Sequence, residues 1–202
     1  MANATATLHY LDIGSLGRGE VVRLFLKDAG IDFKDVRYKY DDTWPATSKK
    51  LQQDGISLTG KVPALEYKGA IHVPTLRFLA RDLGSYDGET SLEKYEVDHV
   101  ADLYIDWRAE WVAQLSAKTD KYKNETVPEF YRLVAAHYAK NNGPYLLGSR
   151  ITYADFAVFQ AIDNDAKIGT LPAELPEAIV KFKAAFEARP RIAAYLKERE
   201  QK

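Results

Sequence analysis

The chain reads as an α/β unit followed by an all-helical one, and three features predict that division. Up to Leu83, short apolar runs with strand-like patterning alternate with helical periods. From Leu92 onward every apolar period is helical. Between the two lies Gly84-Ser85-Tyr86-Asp87-Gly88-Glu89-Thr90, a linker of turn-forming residues. Residues 1–84 are therefore expected to form one domain, 85–91 a linker and 92–202 a second domain.

Residues 8–13 form a short apolar strand, and Gly14-Ser15-Leu16-Gly17 is a tight loop ahead of a helix. Over residues 18–29, Val21, Val22, Leu24, Phe25, Leu26 and Ala29 make a broad apolar stripe suited to packing on a sheet, and Gly30 stops the helix. Residues 31–38 are a second strand. A β-α-β unit places its strands parallel through a right-handed crossover. Residues 41–59 show weak helical character, centred on 46–53. Val62-Pro63 then opens a strand, a position where proline gives up no needed donor. Lys68-Gly69 is a two-residue turn into residues 70–73, which completes a hairpin. Thr75 can cap a helix reaching Leu83, with Leu76, Leu79 and Leu83 on one side. The first half is thus β-α-β-α-β-β-α around a mixed sheet.

In the second half a long helix is expected from residue 92 to about 121, carrying Val97, Val100, Leu103, Tyr104, Trp107, Trp111 and Leu115, with another over 127–141. Thr152 and Asp155 form a capping box, and Ile151 and Phe156 are placed as its hydrophobic staple. Helices over 174–188 and 191–200 close the chain.

Composition narrows the chemistry. The 202 residues are 46% hydrophobic and 28% charged, the make-up of a soluble globular protein. Lys plus Arg number 28 against 29 Asp plus Glu, so the charge offers nothing to nucleic acid or an anionic membrane. With no cysteine there is no disulfide framework, thiolate metal site or cysteine nucleophile. His9, His72, His99 and His137 lack metal-ligand spacing, so no metal is expected. The first residues carry neither a basic start nor an apolar core of a signal peptide, which points to the cytoplasm.

Val62-Pro63 admits two readings. A trans proline simply opens an edge hairpin. A cis bond turns the neighbouring peptide groups outward, where an extended peptide-like ligand can pair as an added strand. Taken with the capping box of residues 148–155 and the segments Tyr10-Leu11-Asp12-Ile13 and Arg18-Gly19-Glu20-Val21-Val22-Arg23, the chain resembles a cytosolic glutathione transferase. The resemblance spans nearly the whole length and is nearest to the tyrosine-type classes, sigma, mu, alpha and pi. It implies a thioredoxin-like first domain that binds glutathione, a helical second domain that lines the electrophile site, and a homodimer.

It also implies roles for individual residues. Tyr10 falls on the catalytic tyrosine, whose hydroxyl donates to the glutathione sulfur and favours thiolate over thiol. Ser15 is the rival hydroxyl, because the loop from Tyr10 to Arg18 is longer here than in those classes. Val62 pairs its backbone with the cysteinyl part of glutathione, and Pro63 is the cis proline that presents it. Trp44 and Lys49, with Lys61 in reserve, hold the glycyl carboxylate. Thr75 takes the γ-glutamyl carboxylate, although Pro74 stands where the family has an acidic or amide side chain. Asp98 reaches across the dimer to the γ-glutamyl amine. Tyr104, Trp107, Arg108 and Trp111 line an apolar acceptor pocket, with Arg108 suited to an anionic or carbonyl-bearing acceptor.

Each position has a plainer role open to it. Tyr10 fits a core ring, Trp44 an apolar cover, Lys49 a solvated charge, Asp98 an interface partner and the α-helical tryptophans simple core packing. At the level of function, conjugation to an electrophile in detoxification or secondary metabolism stands beside glutathione-dependent isomerisation and a non-catalytic carrier. The absence of cysteine speaks against a disulfide reductase.

Overall fold

The computed structural model describes residues 6–73 and 76–200. The chain divides into two compact units, one running to Leu79 and resuming at Pro190, the other spanning Ala80–Arg189.

In the first unit a four-stranded sheet has the order β2-β1-β3-β4, from β1 (Ala6–Leu11), β2 (Phe33–Tyr38), β3 (Ala64–Tyr67) and β4 (Ala70–His72). β1 and β2 are parallel, joined through α1 (Arg18–Ala29), while β1–β3 and β3–β4 are antiparallel. The mixed sheet follows from chain connectivity: a helical crossover permits parallel strands and a two-residue turn forces antiparallel ones. Lys68 and Gly69 both take positive φ, 51° and 77°, the geometry that lets so short a turn match the twist of its strands. Helix α2 (Trp44–Gln53) starts two residues ahead of the expected stretch, with Pro45 in its first turn, where a missing N–H costs nothing. Helix α3 (Leu76–Leu83) follows the hairpin; Thr75, its expected cap, lies outside the described residues.

The last helix, α8 (Pro190–Glu200), belongs to this first unit and not to the helical half with which its position in the chain groups it. It packs on α1, and Arg191 donates to the Asp28 carbonyl at 3.0 Å. Periodicity identifies α8 as a helix but carries no information on which surface receives it.

The second unit is helical: α4 (Ser91–Ala113), α5 (Val127–Tyr138), α6 (Tyr153–Ile168) and α7 (Glu177–Glu187). Helix α4 opens on a capping box of Thr90 and Glu93, and α6 on that of Thr152 and Asp155. The expectation that α4 runs to about residue 121 is corrected. It ends at Ala113, where the Gln114 side chain accepts from the Thr119 N–H at 2.9 Å, and the Thr119 hydroxyl accepts from the Tyr122 N–H at 3.2 Å ahead of a π-helical turn over Tyr122–Thr126. Helix α7 begins later than expected because Pro176 occupies its N-cap.

Helix α6 is buried along nearly its whole length, and its Asp165 is wholly enclosed. That carboxylate accepts from Trp107 Nε1 at 3.0 Å, Tyr122 OH at 3.0 Å, Tyr131 OH at 2.9 Å and Thr170 Oγ1 at 2.7 Å. Burial raises its pKa while the four donors pull the other way, and burial drives the Tyr122 and Tyr131 phenols upward, so both remain donors. No helix among the described residues is long and apolar enough to cross a membrane.

Candidate active site

Strand β1 carries Tyr10 to the head of α1, where the ring is buried. Two glycines make room for it. A Cβ at Gly19 would lie 2.2 Å from the ring, and one at Gly17 would lie 2.4 Å from the hydroxyl oxygen. Gly17 also has φ of 74°, which a side chain resists. The hydroxyl therefore sits beside the first turn of α1, whose unpaired N–H groups and dipole favour negative charge. It has no hydrogen-bond partner among the described residues.

The Tyr10 ring packs with Leu51 of α2 and Val62, and Leu11, Ile13, Tyr38, Trp44 and Ile56 surround the three. Three residues expected at the site, Tyr10, Val62 and Trp44, are thus brought into one cluster. The Val62–Pro63 peptide is cis. Pairing of β1 with β3 stops at His9↔Ala64, and Val62 makes no backbone hydrogen bond among the described residues. Lys49 on α2 and Lys61 before Val62 are exposed, and neither is ion-paired among the described residues, whereas the adjacent Lys50 is held by Asp54 at 2.8 Å. Ser15 is half-buried in the loop and already has an interaction partner. Pro74 and Thr75 lie outside the described residues.

The remaining expected residues sit on α4 of the second unit. Asp98 accepts from the Tyr153 hydroxyl and lies 3.9 Å from Arg81. Tyr104 donates to Gln160 at 2.8 Å, Trp107 donates to Asp165, and Trp107 stacks between Tyr104 and Trp111 at 5.4 and 5.9 Å. All three rings are interior to this unit. Arg108 is half-buried, stacked over Trp111 at 5.2 Å, with Nε unpartnered among the described residues. Those residues also contain no cluster of His, Cys, Asp or Glu able to hold a metal.

Features of the site that sequence patterning does not reveal are the glycine seat of Tyr10 and the Arg23 guanidinium, 5.7 Å from the centre of its ring. The available signal was Glu20 and Arg23, one turn apart inside the apolar stripe of α1.

His9, next to Tyr10, is buried, with Nδ1 2.7 Å from the Tyr38 hydroxyl and Nε2 3.9 Å from Glu66, too far for a hydrogen bond. Burial lowers its pKa below the ordinary 6.5, and the attraction of Glu66 offsets only part of this. Below pH 6.5 the unfolded chain binds a proton that the folded chain refuses, so His9 costs stability as pH falls toward its folded value. Urea unfolding at pH 7 and pH 5 checks this: wild type loses stability on acidification, and His9→Gln loses less.

Comparison with known proteins bears on this arrangement. The family described as Glutathione S-transferase, C-terminal domain, matches residues 105–199. Glutathione S-transferase 1 of Ascaris suum is 31% identical over 169 residues, covering 77% of each chain. Glutathione S-transferase P 10 of Caenorhabditis elegans is 28% identical over 206 residues, 97% of this chain and 92% of that one. Among solved structures, the Pi-class glutathione S-transferase of Onchocerca volvulus matches with a TM-score of 0.83 at 24% identity, covering 97% of this chain and 94% of its own. A glutathione S-transferase of Caenorhabditis elegans matches at 0.80 with 26% identity, covering 97% and 98%.

Proposed function

The chain belongs to the cytosolic glutathione transferase family and is a glutathione transferase, and from that premise we propose that it joins the glutathione sulfur to an apolar, electrophilic small molecule. The observation that carries this reading is the Tyr10 hydroxyl, unpartnered among the described residues and held against the N-terminus of α1 in one cluster with Val62 and Trp44.

Glutathione, when bound, supplies the nucleophilic thiolate. Tyr10 donates its O–H to the sulfur and, with the first turn of α1, lowers the cost of negative charge there. Val62 offers its backbone N–H and C=O to the cysteinyl unit as a short added strand. The indole N–H of Trp44 and the ammonium groups of Lys49 and Lys61 receive the glycyl carboxylate. Thr75 is assigned to the γ-glutamyl carboxylate and Asp98 to the γ-glutamyl amine of a neighbouring protomer in a homodimer. Exposed Leu92 and Tyr95 on α4 support such an interface. Ser15 is the secondary hydroxyl, and its existing partner favours Tyr10 over it.

For the acceptor, Arg108 on α4 has an Nε unpartnered among the described residues, which favours a carbonyl or anionic oxygen on the electrophile. Tyr104, Trp107 and Trp111 form the rigid apolar backing. Holding thiolate and electrophile together converts a bimolecular reaction into a local one. The protein is assigned to the cytoplasm.

Retention on immobilised glutathione, followed by conjugation of an aromatic halide, tests this. Retention with turnover is expected. Retention without turnover toward any electrophile, or passage through the column, replaces the reading with a carrier on the same scaffold, and release of unchanged glutathione with a rearranged substrate replaces it with an isomerase.

A further inference from the structure

Behind Tyr10 lies a buried chain of charges that leads to the far end of the sequence. Arg23, 1% exposed, clamps Asp35 of β2 through Nε at 3.0 Å and a terminal nitrogen at 3.1 Å. Its other terminal nitrogen reaches Glu20 at 3.2 Å and the Gly14 carbonyl at 3.4 Å. Arg37 holds that same carbonyl at 3.2 Å, donates to Asp35 at 2.8 Å and lies 3.8 Å from Asp12. Glu20 has no exposure, and beyond Arg23 its partners come from α8: the Tyr195 hydroxyl at 3.0 and 3.1 Å and Arg199 at 2.9 Å. Lys27 sits over the Tyr195 ring at 5.6 Å.

Burying Glu20 and Arg23 is unfavourable unless every lone pair and proton is met. An apolar pair at these positions of α1 is the simpler way to pack a helix on a sheet. The network does something packing does not: it places a permanent cation 5.7 Å from the centre of the Tyr10 ring and fixes the loop that follows Tyr10 at Gly14. A cation over the ring withdraws electron density and makes the phenol a stronger donor.

We propose that α8 is part of the thiol-activating apparatus, with Tyr195 and Arg199 fixing Glu20, Glu20 fixing Arg23, and Arg23 setting the position and donor strength of Tyr10. Arg23, Glu20, Tyr195 and Arg199 are positioning residues in this scheme, because each acts through Tyr10. The proposal rests on Tyr10 being the hydroxyl that faces the sulfur.

The test reads the ultraviolet absorbance of enzyme-bound glutathione thiolate against pH. Five full-length proteins are compared: wild type, Tyr195→Phe with Arg199→Met, Tyr10→Phe, all three changes together, and Arg199→Lys. With Tyr10 in place, losing the two α8 contacts lowers the thiolate fraction below the midpoint by about threefold to tenfold, with KM for glutathione little changed. In the Tyr10→Phe background the same two changes produce no further shift, and Arg199→Lys restores most of the wild-type profile. An equal shift in both backgrounds, or none in either, overturns the proposal while leaving Tyr10 in its role. If Tyr10→Phe leaves the thiolate profile unchanged, the assignment of Tyr10 falls and the proposal falls with it. Far-ultraviolet dichroism confirms folding, and Arg199→Met alone, at an 18% exposed side chain, serves as the milder variant where the pair does not fold.

Discussion

Asp165→Ala is expected to destabilise the second unit by roughly 3–5 kcal/mol, a large share of the stability of a typical domain. Four donors converge on this one carboxylate, Trp107 from α4, Tyr122 from the π-helical turn, Tyr131 from α5 and Thr170 just beyond α6. Removing it leaves them facing a void, and each buried donor without an acceptor costs about 1–3 kcal/mol, offset in part by relief of the carboxylate's own desolvation. Asp165→Asn keeps one acceptor oxygen but turns an amide N–H₂ toward phenols and indole that already donate, so it recovers only part of the loss. Urea unfolding followed by tryptophan fluorescence reports directly, because Trp107 is one of the four partners. A loss below about 1 kcal/mol for Asp165→Ala would show that the donors find other acceptors and that this residue is not what ties the helices together.

Tyr10→Phe is expected to lower kcat/KM for aromatic-halide conjugation by about 100-fold, as the loss of one donor to a developing negative charge does elsewhere. The phenyl ring still fits the cluster with Leu51 and Val62, so stability and retention on glutathione should change little. Gly19→Ala reaches the same hydroxyl by a different route. Its Cβ would lie 2.2 Å from the ring, and the ring cannot yield without leaving the place where its O–H meets the sulfur. Activity should fall at least as far as in Tyr10→Phe, now with an overpacking cost of about 1–3 kcal/mol. Pairing the variants separates chemistry from position: Gly19→Ala added to Tyr10→Phe should cost stability but almost no further activity. Full turnover in Tyr10→Phe would instead transfer the role to another donor, with Ser15 the first to examine by Ser15→Ala.

Much of the architecture was legible from local pattern. The β-α-β start, the hairpin with glycine in its turn, the capping box of Thr152 and Asp155 and the helical periods of the second half all depend on residues within a few positions of one another, and spacing reports such relations faithfully. Helix α1 matches its expected span, Arg18–Ala29, because glycines bracket it on both sides. The end of α4 was not legible, since a continuing apolar period conceals a side-chain acceptor at Gln114 that restarts the chain. For the site, Tyr10 and Trp44 were expected only through family likeness, each being equally at home in a core, whereas Val62-Pro63 also stood out by its place at the start of a strand.

By itself, then, the order of residues determined the two-part α/β and helical division, the succession of strands and helices, and the absence of any thiol of the chain's own. Tertiary structure alone decided that α8 returns to the first unit, that Glu20 meets Arg199 across a separation of 179 positions, and that Asp165 gathers partners 58, 43 and 34 positions away. A repeat of three or four residues records which way a side chain faces on its own helix. It holds nothing about which distant surface will cover that face, and a buried charge is stable only where the covering surface brings its complement.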